Sequence, residues 1–468
     1  DKMKRKLIST AVLLAMLPAS GAFAAALDRS GQPVAPLFQP GNLVEFGYTW
    51  ISPTVEGTER TAAGTAGRHI PDMGSSYDFP SAAIKYQAND KLSFALLYDH
   101  PFGAAAQYSG NNNFTTNAAE LQQARMIPLA AQTRAVVTAN MKQAGMTDAQ
   151  IAAALPTVLP GAIQQAAATP QGQGAIQKYT ATPDASLGTN VTVTSQSFSL
   201  LAAYQPTEQW TVYGGPVYQT IKGDVHLRGS AYSVFNGYDA QFHTTGDWGL
   251  LAGAAYQIPD IAFRAALTYR SAITHDVKTT ENFAKYQAMG GAAGTDGTTK
   301  IKTPQSINLD VQSGIAPNTL AFANLRWVDW SEFAIRPGQF GAIAKDVGPL
   351  VGKPNGFDLV SYNKDQYSAT VGVGRKFNDK WAGNVSLGWD SGTGEYATTL
   401  GPVDGNWNIG AGVQYSPTKN FYVGVGAKYL WLGDAKAQVS SKTGTPNYDG
   451  DFSGNDAVAV GVKVGYRF

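Results

Sequence analysis

The strongest order in the chain is an alternation of apolar with polar or small positions, clearest at its end. Val458, Val460, Val462, Val464, Tyr466 and Phe468 fall on one face, and Ala457, Ala459, Gly461, Lys463, Gly465 and Arg467 on the other. A period of two is that of a β-strand, whose successive side chains point to opposite sides. An apolar face backed by a small or cationic one, ending on an aromatic residue, fits the closing strand of an outer-membrane barrel. An edge strand of a soluble sandwich would carry the same pattern.

The alternation recurs. Phe421, Val423, Val425, Ala427, Tyr429 and Trp431 oppose Tyr422, Gly424, Gly426 and Lys428; Trp407, Ile409, Ala411, Val413 and Tyr415 oppose Asn408, Gly410, Gly412 and Gln414. Trp381, Val385, Leu387 and Trp389 oppose Asn384, Ser386 and Asp390. Short turns such as Pro206-Thr207, Asn378-Asp379 and Ser416-Pro417-Thr418 join some strands, and long polar segments such as Asn282–Thr299 and Gly338–Gly356 join others. Strands are predicted near 43–56, 78–88, 91–108, 188–205, 208–228, 244–257, 260–280, 300–316, 318–333, 357–377, 379–393, 405–416, 419–436 and 456–468. The fold class is thus an all-β membrane protein, an antiparallel transmembrane β-barrel of about fourteen strands, short turns on one side and long loops on the other. Aromatic residues near strand ends suit the membrane interface.

One stretch departs from this period. From Thr116 to about Lys178 the chain is rich in Ala and Gln. Thr147-x-x-Gln150 is a capping box, and Ile151, Ala154, Leu155, Val158 and Leu159 form an apolar stripe at helical spacing. Pro156 and Pro160 are expected to kink or end that helix, and Pro128 to interrupt an earlier one over Ala118–Met141. The helices are predicted to cap the extracellular mouth, as loop decoration or as an apolar landing surface.

The other end reads as an address. Lys4, Arg5 and Lys6 precede an apolar run from Leu7 to Leu17, then Ala22-Phe23-Ala24 at cleavage spacing. This is the pattern of a secretory signal peptide over residues 1–24, and the run is too short to span a bilayer. Composition supports export to the outer membrane: the 35 basic and 34 acidic residues nearly cancel, which argues against a nucleic-acid partner. A mean hydropathy of −0.17 is too low for a helical membrane protein but suits alternating strands. With no cysteine there is no disulfide, thiolate ligand or cysteine nucleophile. The five histidines are scattered, and neither a metal-site nor a nucleophile-elbow motif is present, so no metal, no cofactor and no enzymatic activity are expected.

Several segments are similar to the FadL/TodX family of outer-membrane long-chain fatty acid and hydrocarbon transporters. They are Ala26-Leu-Asp-Arg-Ser-Gly-Gln-Pro33, Tyr98-Asp-His-Pro-Phe-Gly-Ala104, Thr268-Tyr-Arg-Ser-Ala-Ile-Thr-His275, Thr303-Pro-Gln-Ser306 and Leu325-Arg-Trp-Val-Asp-Trp-Ser331. Their order and spacing span essentially the whole mature chain. The resemblance implies a fourteen-stranded barrel, residues 42–468, plugged by an N-terminal hatch over 25–41, with the helical insertion at 116–180. It implies capture on an extracellular apolar groove, passage past the plug and sideways release at a kinked third strand, and it suggests a monomer. The family's longer hatch carries an Asn-Pro-Ala element that is absent here.

Physics gives the task a shape. A hydrocarbon tail gains about 0.8 kcal/mol per buried methylene, so a continuous apolar path needs no energy source. The partners expected are hydrophobic small molecules, with outer-membrane lipid and lipopolysaccharide around the barrel. Exit through the wall requires a local loss of strand pairing. Pro101 lacks an N–H and Gly103 permits a bend, so Pro101, Phe102 and Gly103 are the candidate lateral opening. Leu27, Val34, Leu37 and Phe38 are the candidate tail contacts, with Phe102. For a ligand carboxylate the candidate cations are Arg29, Arg270 and Arg326; Lys428 and Lys463 also point inward by face parity. Asp28 stands beside Arg29 as its expected counter-ion. A general porin for small polar solutes is the alternative, which would need an open, charge-lined lumen.

Overall fold

A computed structural model describes residues 27–120, 126–178, 187–283 and 296–468. The predicted signal peptide and the first residues of the predicted plug lie outside the described residues.

The alternating segments form one antiparallel sheet that closes on itself. Its strands are β1 (Leu43–Thr54), β2 (Tyr77–Gln87), β3 (Leu92–Asp99 with Gly103–Gln107), β4 (Asn190–Tyr204) and β5 (Trp210–His226). Then follow β6 (Asp239–Ile258), β7 (Phe263–Arg270 with Ile273–Asn282), β8 (Asp296–Thr303 with Ser306–Ala316), β9 (Thr319–Val328) and β10 (Gln366–Lys376). The last four are β11 (Trp381–Asp390), β12 (Asn406–Tyr415), β13 (Phe421–Leu432) and β14 (Asp456–Arg467). The sheet's 17 strand segments make 14 staves because three staves are broken in two. β14 pairs with β1 from Leu43↔Arg467 to Thr54↔Asp456. Closure removes the free edge that hydrocarbon would not tolerate.

Face parity follows the sequence. Phe46, Ile84, Leu96, Leu200, Leu267, Leu325, Val385 and Val460 are exposed on the outer wall, while Glu45, Lys85, Ser197, Gln219, Arg270, Asn308, Arg326 and Lys428 are buried inside. Aromatic pairs mark two belts. Tyr48 and Trp50 (4.6 Å), Tyr98 and Phe198 (5.0 Å) and Tyr218 and Trp248 (5.0 Å) lie toward the long loops. Trp210 and Tyr256 (4.9 Å) and Trp381 and Tyr415 (4.7 Å) lie toward the short turns.

The structure departs from the sequence expectations in the loops. β6 begins earlier than predicted. The predicted 357–377 strand enters the barrel only at Gln366, because Val360–Ser361 pairs with Ala334–Ile335 above the rim. The predicted 318–333 strand stops at Val328 and turns at Trp330–Glu332. A five-stranded sheet over the mouth joins Gly57–Arg60, Ala66–Ile70, Tyr396–Thr398, Ala435–Gln438 and Gly450–Phe452. The insertion carries α1 (Ile127–Gln143), α2 (Asp148–Ala168) and α3 (Pro170–Lys178), and a later loop carries α4 (Gly338–Val347). Thr147 and Gln150 form the predicted capping box. Pro128 opens α1 instead of interrupting it, where its missing N–H costs nothing. Pro156 and Pro160 do not end α2. They stand four residues apart on one face, so the lost hydrogen bonds fall on one side of a helix exposed to water.

Candidate functional site

The third strand is broken where the sequence places Pro101. The β3–β4 ladder steps from Asp99↔Ser197 to Gly103↔Thr194, so three residues face two and the strand bulges. On its other side the β2–β3 ladder stops at Ala82↔Tyr98 and returns only as the bridge Gly74↔Ala106. Between those points Tyr77–Ser81 and Asp99–Ala104 face each other without a ladder, and the wall has an opening.

The plug covers this opening from inside. The Arg29 amide donates to the Pro101 carbonyl at 2.9 Å, the Gly103 amide donates to the Leu27 carbonyl at 2.9 Å, and Asp28 bridges Phe102. Residues 27–29 thus supply strand hydrogen bonds that β3 lacks. The Arg29 guanidinium lies 3.3 Å from the centroid of the Tyr77 ring, across the gap. A Cβ on Gly103 would stand 3.1 Å from both the Arg29 guanidinium carbon and the Val193 carbonyl, so glycine is what lets the plug approach.

The rest of the plug is held by polar groups on the inner wall. Arg326 donates to both Asp28 oxygens, Nε at 3.1 Å and Nη2 at 2.8 Å, and Gln366 adds a bond at 3.2 Å. This pair is almost wholly buried, with side chains 4% and 0% exposed. Asp28 therefore turns to Arg326 rather than to its neighbour Arg29. Arg270 donates to the Gln32 side chain and, at 2.9 Å, to both Ser197 and Gln219. Ser30 donates to Asp99, and Asn308 to the Gly31 carbonyl at 2.6 Å. Below, Val34 and Leu37 pack against Ala83, Leu97, Leu201 and Val217. Phe38 sets its edge on Tyr213 at 5.6 Å, with Arg264 4.4 Å above its ring.

Above the plug lies a cavity with about 1140 Å³ of empty space, part of it open to solvent. Its walls include Leu27, Met73, Ala104, Val193, Val225 and Leu359, and it reaches Arg29, Tyr77 and Gly103 at the wall opening. Phe102 is buried with its edge on Trp330 at 5.7 Å. Trp330 is anchored by its N–H to Gln366 at 2.8 Å and packs on Phe333 and Tyr362. A second aromatic group, Phe235, Tyr238, Phe283, Phe340 and Phe357, braces the rim. Glu281 fixes α4 there, accepting the Gln339 and Phe340 amides at 2.8 Å each, a carboxylate at a helix N-terminus.

Of the candidate residues, Leu27, Arg29, Pro101, Phe102 and Gly103 meet at the wall opening. Arg270 and Arg326 grip the plug rather than line the cavity, and Val34, Leu37 and Phe38 seat it lower in the barrel. Trp330 and Tyr77 escape a sequence reading, because their roles depend on strands far apart in the chain. Among the described residues no group of three or more His, Asp or Glu side chains could hold a metal ion.

A closed barrel with a hydrogen-bonded internal plug and an apolar cavity ending at a wall break defines an outer-membrane transport protein. Residues 131–468 match the family described as outer membrane protein transport protein (OMPP1/FadL/TodX), and the chain belongs to it. Its fold is similar to that of a Pseudomonas aeruginosa FadL homologue, with a TM-score of 0.61 at 10% identity over 97% of this chain and 98% of that one. It is also similar to the P. putida toluene transporter TodX (0.55, 12% identity, 97% and 99% covered) and the Ralstonia pickettii toluene transporter TbuX (0.53, 13%, 97% and 98%). A comparison with curated protein sequences finds no match.

Proposed function

We propose that the chain is a passive transporter for hydrophobic molecules, long-chain fatty acids or hydrocarbons. It captures them at the extracellular mouth, holds them in the cavity above the plug and releases them sideways at the β2–β3 opening. One observation carries this reading: the apolar cavity ends at a wall break that residues 27–29 of the plug cover from inside. Each buried methylene favours the cavity over water by about 0.8 kcal/mol, and lateral release spares the solute a return to the aqueous periplasm. Leu27, Met73, Phe102 and Ala104 would contact the tail, and Arg29 sits where a polar end would pass. The relatives described as toluene transporters agree with an apolar solute. The ring and its plug come from one chain, which suits a monomer surrounded by lipid and lipopolysaccharide. A general porin needs an open lumen, and this one is filled by the plug.

Uptake of radiolabelled oleate and toluene, in cells lacking their own fatty-acid transporter, tests the reading. The parent chain is expected to give saturable uptake of at least one solute, and Pro101→Ala/Gly103→Val to lose it at equal barrel abundance. Uptake of neither, with free passage of small sugars, overturns it in favour of a porin.

A further inference from the structure

Above the aromatic belt on the long-loop side, the outer wall is unevenly charged. The strand period sets every second side chain outward there. On β5 this exposes Lys222 and Asp224. On β7 it exposes Asp276 and Lys278, and on β8 Lys300 and Lys302. Among the described side chains, no other stave carries an outward lysine or arginine above that belt.

Elsewhere the same level is acidic. Asp78 on β2 accepts from the Tyr48 hydroxyl, Asp456 on β14 from the Tyr429 hydroxyl at 2.7 Å, and Asp365, just before β10, from the Trp327 N–H at 3.0 Å. Those carboxylates are tied to outward-facing rings. The lysines gather on the remaining sector, and pairing brings those of β7 and β8 together. Lys302 stands opposite Thr274, Lys300 opposite Asp276, and Thr298 opposite Lys278. Same-face neighbours on a strand lie roughly 7 Å apart, and directly opposed Cβ atoms about 5 Å. Three ammonium groups and two exposed threonine hydroxyls therefore share one small patch. Asp276 lies among them and Asp224 beside Lys222, so four lysines meet two aspartates and positive charge stays in excess.

Below this patch the wall is apolar. Trp248, 69% exposed, and Leu250 face out on β6, Leu267 and Tyr269 on β7, and Ile307 on β8. Lys222 comes four residues after Tyr218, the belt partner of Trp248. That is about 13 Å along a tilted strand, or roughly 10 Å in height. Lysine stems can lie along such a wall while their charged ends reach up. A lipid that fits both levels has acyl chains beside the band and phosphates immediately above it.

We propose that the outer face of β5–β8 is a docking site for lipopolysaccharide. The phosphates of its lipid anchor sit on Lys222, Lys278, Lys300 and Lys302, and its acyl chains lie on the apolar band below. Lysine holds phosphate as a point charge, and surrounding lipid lowers the dielectric and strengthens the attraction. A glycerophospholipid has a single phosphate to offer such a cluster. Asp78 stands beside the β2–β3 opening, so the same phosphates are repelled at the exit. The proposal rests on the lipid setting given above, and it does not depend on which solute is transported.

The purified barrel in detergent is titrated with bisphosphorylated lipid A, with the same lipid stripped of its phosphates, and with phosphatidylglycerol. Native mass spectrometry counts the bound lipid. The parent is expected to bind the bisphosphorylated form at least tenfold more tightly than either other lipid. Lys278→Gln/Lys300→Gln/Lys302→Gln should lose that preference. A parent without the preference, phosphatidylglycerol bound as tightly, or a triple variant that keeps the preference overturns the proposal. Should the triple variant fail to assemble, Lys300→Gln alone is expected to reduce the preference about threefold or more, and an unchanged preference overturns the proposal equally. Oleate and toluene uptake, measured on the parent, tests the transport reading separately from lipid binding.

Discussion

Removing the Asp28 carboxylate should loosen the plug far more than any other single change in it. In Asp28→Ala the Arg326 guanidinium stays in its buried seat, loses two charge-assisted bonds and has only Asn308 at 2.8 Å. Deleting one partner of a buried ion pair costs about 3–5 kcal/mol, because the surviving charge is left uncompensated. Undocking the plug lets water reach Arg326, so the whole penalty bears on the docked state. At roughly 1.4 kcal/mol per decade, the undocked population rises about 150-fold to 4000-fold. The Gly103 amide reports this directly, since it bonds to Leu27 of the plug. Its hydrogen exchange should speed up by at least two decades, while the amide of Ile409, deep in the β11–β12–β13 ladder, stays unchanged. Asp28→Ala/Arg326→Met removes both charges and should recover most of the protection. Gly103 exchange within about threefold of the parent in Asp28→Ala, or a double variant as fast as the single, would refute the assignment of Asp28 as the plug's anchor.

Other expectations follow from the loops and from the gap. Tyr77→Leu takes away the ring under Arg29, a contact worth about 1–2 kcal/mol when desolvated, and should raise the resting conductance in planar bilayers with thermal stability nearly unchanged. Burial works to raise the Glu59 carboxyl, but bonds from the Arg68 side chain and from the Arg68 and Asn113 amides outweigh it and hold the group below its usual 4.5. A folded value below the unfolded one gives stability that is present above about 4.5 and lost as pH falls through the folded value. The sheet over the mouth should therefore become sensitive to an acid protease below that point, and Glu59→Gln should be sensitive at neutral pH. Pro156→Ala/Pro160→Ala should lengthen the life of α2 under limited proteolysis, since proline costs about 3 kcal/mol relative to alanine inside a helix, with uptake unaffected.

The barrel was legible because a strand with one face to lipid and the other to a polar interior must alternate, and fourteen staves do so in the order the structure shows. The third strand's ladder to β4 breaks where Pro101 stands, a residue without an N–H to give it. The plug's anchor was not legible. Adjacency offered Arg29 as the partner of Asp28, whereas Arg326 lies 298 residues away and reaches Asp28 only once the ring is closed. The mouth sheet was missed because strands such as Tyr396–Thr398 and Gly450–Phe452 are shorter than one readable period.

The borrowed strand bonds of residues 27–29 also bear on how the protein is made. The plug's main ion pair needs β9, its supporting amide comes from β10, and the closing seam against β14 is the last to form in chain order. A chain that stalls before those strands are in place has nowhere to lodge Asp28, and its third strand keeps an unsatisfied edge. The segment that precedes the barrel in sequence is therefore the last to settle in space. A docked plug certifies that the ring behind it is complete.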